Sequence, residues 1–189
     1  MDIILTDTDE PHVDYKLLLR SQLNYRSMLR GEKMSFESVK KYFEDAGIGD
    51  QVIHTDKPSA TVEEAAAAIG CEPKQIAKTL SFFVGEQPIL IVAAGDAKVD
   101  NKKYKDRFGL KAKMIPRELV EESIGHAPGG VCPFAIKEGV PVYLDESLHR
   151  FERVYPAAGS GHSAVDLSIA ELEKYSHYTD WVDVCKDWE

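Results

Sequence analysis

Nothing in the 189 residues has the spacing of a metal site or of a disulfide framework. The three cysteines, Cys71, Cys132 and Cys185, stand far apart without a CxxC pair, and an odd count argues against a set of bridges. The six histidines are equally scattered, with no HExxH and no Cys/His cluster, so neither a metal nor any other cofactor is expected. Long apolar runs are also lacking: none approaches the ~20 residues that span a bilayer, which excludes a helical membrane anchor. The opening Met1-Asp2-Ile3-Ile4-Leu5 lacks the basic-then-apolar order of a secretory signal, and a cytoplasmic protein is expected. Positive charge is short as well. A formal net charge of -9 is poor for a protein that wraps nucleic acid, because phosphate contacts need cations.

What is present is an ordinary globular balance, 43% hydrophobic and 29% charged, in a length that suits one domain. The few cations are unevenly spread. Lys98, Lys102, Lys103, Lys105, Arg107, Lys111 and Lys113 fall in one stretch against Asp100 and Asp106 alone. The acidic excess follows Arg117, in Glu121-Glu122, Asp145-Glu146 and a tail carrying Asp180, Asp183, Asp187 and Glu189. Such a stretch is as often a solvated face as a contact surface. Segregated charge would nonetheless let one side meet the end of an RNA, weakly and with strong salt dependence.

Along the chain, residues 1–33 read as an extension whose Tyr15 to Leu23 segment has the i, i+3, i+4 spacing of an amphipathic helix. Residues 34–189 form the domain. Ser35 is expected to cap a helix to Ala46, with Phe36, Val39, Tyr42 and Phe43 on one face and Gly47 as its stop. Val52-Ile53-His54 reads as a short strand, and Thr61-Val62-Glu63-Glu64 as a capping box opening an Ala-rich helix that ends at Gly70. Pro73 is expected to start another helix carrying Lys78. Strands follow at Leu80–Val84 and Ile89–Ala94, the second apolar without alternation and therefore central in its sheet. A basic helix from Asp100 to Phe108, a strand near Lys113-Met114-Ile115 and a helix from Pro116 to Ser123 come next. Further strands are expected around Val140–Leu144, Arg153–Ala157, Ala164–Leu167 and Trp181–Val184, with a second capping box at Ser168-Ile169-Ala170-Glu171. The whole reads as a single mixed α/β domain.

Three places could carry chemistry. Lys78 is flanked by Ile76, Ala77 and Leu80, so its ammonium would be partly desolvated and would act as a fixed charge or a base of lowered pKa. Taken alone, such a lysine more often snorkels to water over an apolar stem. The segment Gly125-His126-Ala127-Pro128-Gly129-Gly130-Val131-Cys132-Pro133-Phe134 holds three glycines and two prolines in its first nine residues. That is costly to order and poor for packing, but suited to bringing bare backbone close to a ligand. Exposed N–H groups there could hold a carbonyl oxygen as charge develops on it, each worth ~3 kcal/mol in a transition state. Third, Gly159-Ser160-Gly161-His162-Ser163-Ala164 fits a GxGxxG/A dinucleotide fingerprint, but a strand pattern follows where that fold needs a helix. It reads instead as a glycine turn whose Ser160, His162 and Ser163 border a pocket or simply join two strands. Cys132 with His126 or His162 could form a thiol nucleophile and base, although a cysteine at such a junction is usually a small buried hydrophobe.

Together these pieces resemble the YbaK/prolyl-tRNA-synthetase-associated editing domain family over roughly Ser35 to Leu172. The likeness runs through Thr61-Val62-Glu63-Glu64-Ala65-Ala66, Gln75-Ile76-Ala77-Lys78-Thr79-Leu80, Ala93-Ala94-Gly95-Asp96 with Val99-Asp100, the Gly125–Phe134 segment and Gly159-Ser160-Gly161. The resemblance implies a mixed central sheet or partial barrel surrounded by helices, and a trans-acting deacylase that frees a wrong amino acid from a tRNA 3′ end. It assigns Lys78 to the terminal nucleotide and the GxxxP loop, Gly129, Gly130, Val131, Cys132 and Pro133, to the aminoacyl group. A water attacks with help from the substrate's ribose hydroxyl, so no side-chain nucleophile is needed. His54, Gly125, His126, Phe134, Gly159, Ser160, Gly161 and His162 are the further substrate-binding candidates, and Lys98, Lys102, Lys103 and Lys105 the tRNA-binding ones. The implied partners are mischarged tRNA and an aminoacyl-tRNA synthetase. Ala135 stands where the family often has glycine, and His162 near a common asparagine, which bears on substrate identity. Synthetase pockets separate substrates differing by one methylene by only ~1–3 kcal/mol, so small residues (alanine, cysteine, serine, threonine) are the expected errors. A binding module without turnover and a thiol hydrolase using Cys132 are the competing readings.

Overall fold

A computed structural model describes residues 35–57 and 61–188; the expected amphipathic helix of the extension lies outside them. Helix α1, residues 35–45, buries Val39 and Phe43 and ends before Gly47, whose φ of 79° only glycine adopts without cost. Ser35 is the first helical residue described, and its buried hydroxyl accepts the backbone N–H of Ala127 at 3.4 Å. After β1 (Val52–His54), α2 (Val62–Ile69) opens on the expected capping box. Thr61 accepts the N–H of Glu64, Glu64 accepts the N–H of Thr61, and Gly70 closes the helix in the left-handed region.

The helix expected after Pro73 does not form. Glu72 and Gln75 close a single 3-10 turn over Pro73–Gln75, and the chain then runs straight into β2 (Ile76–Val84). Local propensity there is ambiguous, and pairing decides: every residue from Ala77 to Val84 faces a partner in β3 (Gln87–Ala94). Lys78 is therefore a strand residue opposite Ala93.

β3 is central, as its uninterrupted apolar run implied, and Leu90 to Ala94 are fully buried. The curled six-stranded sheet, a half-barrel, has the order β8-β6-β2-β3-β5-β9, with β5 at Val142–Asp145, β6 at Arg153–Pro156, β8 at Leu167–Ser168 and β9 at Asp180–Val182. β2 and β3 are antiparallel, whereas β3–β5, β5–β9 and β2–β6 are parallel. β6 reaches only Ile76 and Ala77, so the far end of β2 takes another neighbour. Phe83 donates to the Lys113 carbonyl and Ile115 to that of Ser81, but only Phe82 and Met114 form a bridge. The strand expected at Lys113–Ile115 shrinks to that bridge because Pro116 follows directly.

Two ribbons complete the domain. β1 pairs with β7 (Ser163–Val165), and β4 (Lys98–Val99) with β10 (Cys185–Lys186). Helices α3 (Asn101–Phe108), α4 (Arg117–Ile124) and α5 (Ile169–Ser176) pack around the sheet, α5 opening on the expected Ser168/Glu171 capping box. Phe43 of α1 meets Phe134 at 4.8 Å and Tyr175 of α5 at 5.7 Å, edge to face, which ties the glycine-proline segment to both helices. Among the described residues no helix is long and apolar enough to cross a membrane, and no group of His, Cys, Asp and Glu could hold a metal ion.

Candidate active site

A cavity of about 220 Å³ opens between the first turn of α2 and the start of β2. Thr61, Val62, Ala65 and Ile69 form one wall, and Ile76 to Thr79 another. Tyr155, Ala157, Ser163 and Ala164 come from β6 and β7, and Gly129 and Val131 from the glycine-proline segment. Lys78 and the backbone of that segment thus border one space. Most of the lining is apolar, so a charge placed there is worth more than it would be in water.

Lys78 is half-buried, and its Nζ donates to the carbonyls of Gly95, at 2.9 Å, and Ala97. Burial lowers its pKa, which the negative charge of Asp96 partly offsets. An ammonium has three N–H bonds. Two are committed to the 95–97 turn, and the third has no partner among the described residues. The same turn is anchored by Asp96. Burial alone would raise the Asp96 pKa, but the Arg150 guanidinium, bonded at 2.6 and 3.0 Å, holds it below the usual range.

The two glycine segments meet backbone to backbone. A Cβ on Gly130 would stand 2.4 Å from the Gly159 carbonyl oxygen, and one on Gly159 2.5 Å from that of Ser35. Close approach therefore explains these glycines. Gly129, with φ 103° and exposed, and half-buried Val131 are left to face the cavity, with Gly161 nearby across from the Gly129 carbonyl. Gly125 ends α4 in the left-handed region. Ser160 and Ser163 are tied together, Oγ to Oγ, at 2.8 Å, and the Ser160 hydroxyl also accepts the N–H of His162.

Other candidates lie elsewhere. Cys132, His126, Phe134 and Pro133 are buried behind the segment, not on the cavity. His126 Nε2 sits 2.7 Å from the Phe134 carbonyl and 3.7 Å from the Cys132 sulfur. Burial by itself would lower the His126 pKa, but these two contacts outweigh it and carry it to about 8. His54 is exposed, stacks edge to face on Phe36 at 5.6 Å, and lines a second cavity with Asp56, Lys57 and Ala68. Ile69 borders both cavities, so the two adjoin at the end of α2. Missed in the sequence are the α2 wall, Tyr155 and Thr79, whose buried hydroxyl has no hydrogen-bond partner among the described residues.

The charge segregation of the sequence does not survive folding. The acidic tail lies against the basic helix: Lys103 pairs with Asp183 at 2.7 Å, Arg107 with Asp180 at 2.5 Å and Lys98 with Asp187 at 3.5 Å. Lys102 pairs with Asp106 at 3.0 Å, and Lys105 makes no ion pair among the described residues.

The model of the aminoacyl-tRNA editing domain family matches residues 56–175, which include both main walls of the cavity, Lys78 and the glycine-proline segment. The chain belongs to the aminoacyl-tRNA editing domain family. Among its relatives is the uncharacterized protein YwhH of Bacillus subtilis (strain 168), 50% identical over 157 residues, which are 82% of this chain and all of YwhH. The proline--tRNA ligase of Limosilactobacillus fermentum is 31% identical over 121 residues, 59% of this chain but only 21% of the ligase. A solved structure described as a candidate trans-editing enzyme for prolyl tRNA synthetase superposes with a TM-score of 0.72 at 29% identity, covering 80% of this chain and 97% of that one. The editing-domain match leaves α1, β1, β9 and β10 outside its limits. β9 nevertheless extends the common sheet beside β5, and β10 pairs with β4 next to the turn that holds Lys78.

Proposed function

We propose that this editing domain is an aminoacyl-tRNA deacylase acting in trans on tRNAs that carry a wrong, small amino acid. The observation that carries the reading is the cavity bordered on one side by the tethered Lys78 ammonium and on another by the bare backbone of Gly129. The free N–H of Lys78 holds the terminal nucleotide of the 3′ end. A water adds to the ester carbonyl carbon, assisted by the neighbouring ribose hydroxyl, and the ester C–O bond breaks. The products are the free amino acid and a tRNA whose ribose oxygen has regained its proton. The Gly130 N–H is committed to the Ala127 carbonyl at 3.1 Å, so the backbone N–H groups of Gly129 and Val131, both on the cavity, are the ones that meet the developing oxyanion, where each donor contributes ~3 kcal/mol. Alanine, cysteine, serine and threonine are the amino acids removed, and Val62, Ala65, Ile69 and Tyr155 limit what fits. Gly130, Cys132 and Pro133 act by holding the backbone rather than by their side chains, as do His126, Phe134, Gly159 and Ser160 behind it.

Likeness to parts of proline--tRNA ligases supports a synthetase as partner, and the substrate places the reaction in the cytoplasm. Lys98, Lys102, Lys103 and Lys105, on the strand and helix that follow the turn holding Lys78, contribute to holding the tRNA. A panel of mischarged tRNAs, assayed with substrate in excess, tests the proposal and reads amino-acid and tRNA specificity together. Turnover of at least one small aminoacyl-tRNA is expected. Binding without turnover would favour a non-catalytic module of the same fold. The thiol alternative requires that Cys132→Ala abolish turnover, but the sulfur is fully buried, 3.7 Å from a carbonyl oxygen, and out of reach of the cavity.

A further inference from the structure

The turn that holds Lys78 is itself held from behind. Gly95 and Ala97, whose carbonyls accept from Nζ, flank Asp96, and Asp96 receives both ends of the Arg150 guanidinium: Nη2 to Oδ1 at 2.6 Å and Nη1 to Oδ2 at 3.0 Å. Arg150 has little freedom. Its Nε donates to the Ser147 carbonyl at 3.0 Å, and the guanidinium lies 4.9 Å from the ring centre of Phe151 and 5.2 Å from that of Trp188. Ser147 accepts the Ala94 N–H through its hydroxyl and donates its own N–H to Asp145, whose other oxygen accepts from Val184. On the opposite side the turn is closed by contact, because a Cβ on Gly95 would stand 2.0 Å from the Pro73 carbonyl oxygen and 2.7 Å from a Val62 methyl.

We propose that Arg150, acting through Asp96, is a positioning residue that fixes the Lys78 ammonium at the edge of the cavity. A lysine is a point charge on a flexible stem, so its place is set by its acceptors rather than by its own geometry. Here the acceptors are two main-chain carbonyls of one short turn, and the forked, partly desolvated pair of Asp96 and Arg150 sets that turn's path. The side chains are 33% and 21% exposed, so the pair is not a fully solvated surface contact. The consequence for catalysis rests on the deacylase reading; the mechanical link from Arg150 to Lys78 does not.

The test uses the full chain with ¹⁵N-labelled lysine. The Lys78 ammonium, held by two carbonyls, gives a slowly exchanging NMR signal, assigned by its loss in Lys78→Met. Arg150→Met should broaden or remove that signal, Arg150→Lys should weaken it because one charge cannot replace a fork, and Asp96→Asn should act like Arg150→Met. Should Arg150→Met fail to fold, Asp96→Asn, which keeps the shape, decides alone. An unchanged Lys78 signal in folded variants overturns the proposal. With mischarged tRNA, Arg150→Met should lower kcat/KM about tenfold to a hundredfold, and cost nothing further in a Lys78→Met background. Full kcat/KM in Arg150→Met, or an equal loss in both backgrounds, overturns the positioning role. A perturbed Lys78 signal in a protein that turns over no mischarged tRNA would instead remove the deacylase reading and leave the link standing.

Discussion

At the scale of single residues, Lys78 and Gly130 carry the most weight. Because burial lowers the pKa of Lys78, its positive charge is lost at a lower pH than that of an ordinary lysine. Affinity for a 3′-terminal aminoacyl-adenosine amide should therefore fall, on raising the pH, before free lysines titrate; calorimetric titration at a series of alkaline pH values checks this. Gly130→Ala should lower thermal stability by about 1–3 kcal/mol and reduce turnover, because its new methyl meets backbone rather than a movable side chain. His126 supplies a pH signature of its own. Its folded pKa of about 8 lies above the unfolded value of ~6.5, so its contribution to stability is complete below pH 6.5 and lost as pH rises through 8. The loss is worth about 2 kcal/mol, and thermal unfolding across that window should show a slope that His126→Asn removes. The sequence made Lys78 visible through its apolar neighbours, yet Thr79 and Tyr155 carry no comparable mark. Their place on the cavity depends on how β2 and β6 meet at Ile76 and Tyr155, which no local pattern encodes.

At the scale of elements, signals that are local in origin were legible. The capping boxes at Thr61/Glu64 and Ser168/Glu171 involve residues three apart, and both form as the sequence implies. The apolar Ile89–Ala94 run is likewise a statement about two covered faces, and β3 has both. Ile76 to Thr79 reads in sequence as helix because Pro73 and Gln75 fit a helix start equally well, whereas the strand is decided by β3, a partner the local pattern does not contain. The glycine-proline segment reads in sequence as bare backbone, but its purpose is divided. Gly130 uses its lack of a side chain against Gly159, Gly159 uses its own against Ser35, and Gly129 alone of the three turns to the cavity. Ala65→Leu on α2 should fill that cavity without touching Lys78. Its expected effect is a higher KM or lost turnover for the larger accepted amino acids, measured across the mischarged panel, with smaller losses for alanine.

At the scale of the molecule, the charge pattern is the plainest difference between chain order and space. The net charge of -9 and the pairing of Lys98, Lys103 and Arg107 with the tail reduce the unbalanced positive charge of the basic stretch. These pairs are exposed, so each is worth little and yields easily to a phosphate. Replacing Asp180, Asp183 and Asp187 by Asn should tighten tRNA binding and steepen its salt dependence, read by filter binding at several salt concentrations. Unchanged affinity and slope would mean that the tRNA does not pass over this face.

The most direct measurement of the central claim is the multiple-turnover rate of deacylation by the wild-type chain and by Lys78→Ala on the same mischarged tRNA. The expected result is a loss of at least about a hundredfold in kcat/KM with the fold intact. A Lys78→Ala protein that deacylates at the wild-type rate would contradict the account.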